Sequence, residues 1–132
     1  MSQDNVRTIE AIYEEWGAGR FRRLDDLYDP HVTFVLRPEF PDSGVYLGPE
    51  EIGRYMRHFL EPWTQIKISA EEIIDAGDSV LVAVRQHGAG RGSGLETELH
   101  YFHAWSFRGA KVIRWEAIRD RRDAFAAVGL AE

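Results

Sequence analysis

The sequence predicts an α+β fold: three helices in the N-terminal half packed on a curved antiparallel sheet, then a short C-terminal helix. Two observations predict it. Apolar residues recur at helical spacing as far as Leu60, then alternate with a period of two over most of the remaining chain. Helix signals come early and strand signals late, the order of a sheet whose helices gather on one face.

The first helix covers roughly 5–16, where Val6, Ile9, Ile12, Tyr13 and Trp16 share a side, and Gly17 and Gly19 stop it. FRRLDDLY (21–28) carries Phe21, Leu24, Leu27 and Tyr28 at the same spacing and predicts a second, short helix. Asp29-Pro30 breaks it, because a residue before proline avoids helical geometry. HVTFVL (31–36) is β-branched and aromatic, so it predicts a strand. Pro38 and Pro41 make RPEFPDSG a loop. Gly48-Pro49-Glu50-Glu51 then opens a third helix, with proline in the first turn and carboxylates at the positive end of the dipole. Its buried stripe is Ile52, Tyr55, Met56, Phe59 and Leu60, and Pro62 closes it.

Four strands follow, at 65–74, 79–87, 95–108 and 111–119, with turns at Ala76-Gly77-Asp78 and Arg108-Gly109-Ala110. Asp120 stands at an N-cap position, with Asp123 three residues later and Gly129 beyond, which predicts a terminal helix over 121–128. With 132 residues and no repeat or linker, one domain over 1–132 is expected.

Composition excludes several function classes. There is no cysteine, hence no disulfide or thiolate metal site. The net charge of −6 opposes polyanions, and the basic clusters at Arg20–Arg23 and Arg119–Arg122 are interleaved with carboxylates, so no nucleic-acid partner is expected. The opening MSQDNVRTIE is polar and no long apolar run follows, so a cytoplasmic location and no membrane association are expected.

QHGAGRGSGLE (86–96) has glycines at 88, 90, 92 and 94, but the dinucleotide spacing fails, no P-loop lysine is present, and a strand follows where phosphate needs a helix. The run reads as a long hairpin's tip, and its register decides which residues face inward. With Arg91 opposite Gly94, Val84 pairs with Tyr101 and Arg85 stays outside. One residue of slip would bring Arg85 in. The first register is preferred because it buries Val80, Val82 and Val84.

EAIYEEWGAGRFRRLDDLYDPHVTF (10–34), GVYLGPEEIGRYM (44–56), IIDAGDSVLV (73–82) and HYFHAWSFRGAKVIRWEAIRDR (100–121) resemble the NTF2-like superfamily, and within it the SnoaL-like, polyketide cyclase-like group. The resemblance implies a cone with a pocket between concave sheet and helices, and a homodimer through the outer sheet face. It does not choose among isomerase, cyclase, hydrolase and non-catalytic members.

Within that frame His103 is the leading chemical candidate. Leu99, Tyr101, His103, Trp105 and Phe107 alternate onto one face, placing this histidine among aromatic rings. His100 points the other way, so the pair cannot share a metal on a strand, and no metal site is expected. Matched to the SnoaL-like cyclases, the acid/base aspartate position falls on Ala117, and Glu116 faces outward beside Arg114. Matched to ketosteroid isomerase, the base position falls near Leu36, with Arg37 and Glu39 nearby, and Tyr13 is a counterpart of the helix tyrosine. Asp120 has two readings, helix cap or acid at the cone mouth.

The expectation is a pocket for a small apolar or aromatic organic ligand. If enzymatic, it needs no cofactor and works by acid/base chemistry next to a carbonyl. His103 would transfer the proton, Arg37 or Arg85 stabilise an oxyanion, and Tyr13 orient the ligand, with Asp120 as a further acid. Trp16, Phe34, Tyr55, Trp63, Arg85, Tyr101 and Trp105 would contact the ligand. The alternative is a non-catalytic ligand-binding or dimeric interaction module.

Overall fold

Six strands make a single sheet, and its period-two burial creates two unlike faces. The computed structural model describes residues 2–131, so the two end residues of the expected 1–132 domain, Met1 and Glu132, lie outside the described residues. In chain order the elements are α1 (Ser2–Gly17), β1 (Tyr28–Leu36), β2 (Gly44–Leu47), α2 (Gly48–Leu60), β3 (Trp63–Asp75), β4 (Ser79–Gly90), β5 (Glu96–Arg108), β6 (Lys111–Ile118) and α3 (Arg121–Ala127). The strand order is β2-β1-β6-β5-β4-β3, antiparallel except where β1 runs parallel to β6.

The larger apolar cluster fills the concave side. Ile9, Ile12, Tyr13 and Trp16 of α1 and Ile52 of α2 pack onto Val80, Val82, Val84, Trp105 and Trp115 of the sheet. A second cluster lies on the convex side, where Ala124 and Phe125 of α3 cover Leu81, Ala104 and Ile118. The α+β class and late strands agree with the sequence reading.

Two details differ. Residues 21–28 form no helix: an extended segment leads into one turn at 25–27, with the Leu27 and Tyr28 amides both donating to the Leu24 carbonyl. One uncapped turn provides the spacing that eight residues alone could not sustain as a helix. Phe21 still reaches Trp16, with ring centroids 5.8 Å apart. Two helices, not three, therefore precede the main strands. The other difference is β2, four residues after the proline-rich loop that carry no period long enough to read; Tyr46 pairs with Phe34 of β1.

The β4–β5 hairpin adopts the register that pairs Val84 with Tyr101 and Arg85 with His100. Gly92 and Gly94 turn the chain at positive φ (+88° and +67°). Gly88 serves a different need: a Cβ there would stand 2.8 Å from the Trp63 ring. Arg91 donates from its guanidinium to the Glu61 and Trp63 carbonyls, both at 3.0 Å, tying the hairpin tip to the α2–β3 junction. The glycine run thus places a tryptophan.

Candidate functional site

The concave face is not filled to the end. Where α1 stops covering the sheet, a cavity of about 450 Å³ opens between β4–β6, α2 and the loop after β1. Its wall includes Trp16, Phe34, Tyr55, Trp63, Tyr101 and His103. Phe40 of the loop leans edge-on against Tyr101 at 5.3 Å, and Asp42 and Glu98 stand at the exposed mouth. The enclosed part of the wall is aromatic and carries no carboxylate.

His103 is 3% exposed and sits among Tyr13, Trp16, Tyr101, Trp105 and Trp115, with ring centroids at 5.2–6.2 Å. Burial away from any charge pushes its pKa down to about 3, so at neutral pH it is an uncharged imidazole. The Tyr13 hydroxyl lies 2.5 Å from His103 Nδ1, and Trp105 Nε1 donates to the same hydroxyl at 2.9 Å. Burial also raises the Tyr13 pKa, so this phenol stays protonated. Tyr13 and Trp105 therefore stand one layer behind the wall and hold the histidine.

The other expected site residues are elsewhere. Arg85 lies on the convex face, 2.7 Å from Glu98, because the observed register turns it away from the cavity. Arg37 follows Leu36 and alternates outward, where its Nε donates to Glu116 at 2.6 Å. Glu116 lies outward beside Arg114, at 3.4 Å, and is buried under Arg37. Asp120 is the N-cap of α3, accepting from the Asp123 amide at 2.9 Å. None of these four reaches the cavity. Ala117 pairs with His103 across β5–β6, so the strand position facing the histidine carries no ionisable group.

Several wall residues escaped the sequence reading, Gln86 and Phe40 among them. Gln86 follows Val80, Val82 and Val84 at period two, so alternation alone could have placed it inward; it is 8% exposed and accepts from Tyr101 at 2.8 Å. Phe40 lies in a proline-bounded loop that has no period to read. No His/Asp/Glu group among the described residues is arranged to hold a metal, and no described helix is long and apolar enough to cross a membrane.

The SnoaL-like domain family model matches residues 9–115. No curated protein matches the chain in sequence. Solved structures share the fold. TerC, co-crystallised with polyporic acid, is 24% identical with a TM-score of 0.73, over 94% of this chain and 96% of that one. A protein described as a SnoaL-like polyketide cyclase from Jannaschia sp. CCS1 is 17% identical with a TM-score of 0.76, over 98% and 94%. A ketosteroid isomerase-like fold from Catenulispora acidiphila, in complex with trimethylamine, is 16% identical with a TM-score of 0.70, over 95% and 92%.

Proposed function

Because the chain belongs to the family of SnoaL-like domains, we propose that it holds a small apolar or aromatic molecule in the concave cavity. There it performs cofactor-free acid/base chemistry of the isomerase, cyclase or hydratase/dehydratase type. One observation carries the reading: a buried histidine on the wall of an aromatic cavity of about 450 Å³, fixed from behind by Tyr13. Apolar walls with few polar groups suit a small organic ligand. A buried imidazole is the group able to exchange a proton there. The small ligands held by TerC and by the Catenulispora protein, polyporic acid and trimethylamine, add support by similarity.

A second reading, ligand binding without chemistry, is favoured by Ala117. A proton shift needs a donor and an acceptor, and the position facing His103 supplies neither. Native mass spectrometry of the purified protein decides whether a small molecule accompanies it. Turnover of that molecule by wild type and His103→Ala then separates the readings. Loss of turnover in the variant supports catalysis through His103, and full turnover removes His103 from the mechanism.

The protein is further proposed to act in the cytoplasm as a homodimer through the outer sheet face. The face offers paired charges (Arg85 with Glu98, His100 with Glu71 and Glu98) beside the part covered by α3. Sedimentation at micromolar concentration tests this, and a clean 15 kDa species contradicts it.

A further inference from the structure

Two hydrogen-bond chains end on the cavity wall, and both run the same way. Trp105 Nε1 can only donate, and it donates to the Tyr13 oxygen. Tyr13 has one proton to give, and among the described residues its remaining partner is His103 Nδ1. That nitrogen is therefore the acceptor, and the single ring proton of neutral His103 resides on Nε2. His103 Nε2 has no protein partner and is not sealed from the cavity. The second chain is shorter. The Tyr101 hydroxyl donates to Gln86 Oε1, which leaves the Gln86 amide NH₂ without a protein acceptor at the same wall. The enclosed wall thus has surplus donors and no carboxylate to receive them.

We infer that the cavity selects ligands carrying an acceptor oxygen, a ketone or quinone-type carbonyl, which takes its hydrogen bond from His103 Nε2–H, with Gln86 as a second donor. Tyr13 and Trp105 are positioning residues that fix the imidazole tautomer. The inference rests on the proposed function and names its substrate class. It also gives His103 its first role: polarising a carbonyl from the acid side. The depressed proton affinity of His103 agrees, since such an imidazole is a poor base and remains a neutral donor across the physiological range. A ligand of the same shape without the oxygen leaves buried donors unpaired, the strongest route to discrimination in an apolar site.

The test uses two flat aromatic probes that differ by one carbonyl, 9-fluorenone and fluorene. Isothermal titration measures both, and infrared difference spectroscopy reads the fluorenone carbonyl stretch. The inference predicts that fluorenone binds about five- to tenfold tighter, as one net hydrogen bond implies, with its stretch moved to lower wavenumber. Tyr13→Phe should reduce that shift even if it binds the probe, a change that a merely structural tyrosine would not cause. Equal binding of the two probes, or an unshifted stretch in the wild type, overturns the donor assignment and leaves the apolar-cavity reading standing. If neither probe binds, the proposed function itself fails.

Discussion

His100 and His103 lie three residues apart on β5 and face opposite ways. His103 is buried among five rings, its nearest ionisable neighbours are the phenols Tyr13 and Tyr101, and its pKa falls to about 3. His100 is exposed and bridges Glu98 at 2.8 Å and Glu71 at 2.9 Å, with Arg85 beyond, and these carboxylates raise its pKa. The same network holds Glu98 down to about 2. One residue type on one strand becomes a neutral donor on the concave face and a proton-holding bridge on the convex face. The difference comes from what the sheet turns each toward, which a period-two register decides.

The concave side of the sheet is the more sensitive to substitution. Trp105 is fully buried and stacks on Trp115 at 4.7 Å. Trp105→Ala should lower stability by about 3–5 kcal/mol in urea unfolding. A loss below about 1 kcal/mol would mean that the ring cluster behind His103 is not packed as described. Tyr13→Phe comes next, since it orphans the Trp105 N–H and removes the hydrogen bond to His103. A loss of about 1–3 kcal/mol is expected, and an unchanged midpoint would argue against the relay.

The pH dependence sharpens the contrast, because the two histidines act with opposite sign. Below an unfolded pKa of about 6.5, the unfolded chain protonates His103 and the folded chain does not. Stability should therefore fall as pH drops from 6.5, by up to about 1.4 kcal/mol per pH unit from this group. Measured between pH 6.5 and 5, above the carboxylate range, that slope should flatten in His103→Gln. For His100 the folded pKa is raised, so its contribution is complete below 6.5 and fades as pH rises through the folded value. A stability maximum near pH 6.5 is the joint expectation, and a profile rising monotonically to pH 8 would oppose the His100 part. Smallest of all is the direct effect of the convex network. Glu98→Gln should leave the urea midpoint at pH 7 nearly unchanged, because exposed ion pairs contribute little.

The same contrast explains what the sequence made legible. Period-two alternation was enough to put His103, Tyr101 and Trp105 on one face, and burying three valines selected the register that turns Arg85 out. The glycine run proved to be a hairpin tip whose Gly88 makes room for Trp63. Residues outside long periodic segments were harder. Arg37 follows directly on a strand, and only the three-dimensional position of Glu116 shows where its guanidinium goes. Phe40 and β2 sit beside prolines, where neither helical nor strand spacing can build up. Residues 21–28 carry a helical spacing that a single turn satisfies as well. Cavity-lining roles depend on what the helices leave uncovered, a property of packing that no local pattern contains.

The most direct test of this two-faced strand is a ¹⁵N NMR pH titration that follows the His100 and His103 imidazoles together. His103 should keep a neutral ring, with its proton on Nε2, from pH 8 down to at least pH 4, while His100 takes up its proton above 6.5. A His103 resonance that titrates near 6.5, or that shows the proton on Nδ1, would contradict the account at its centre.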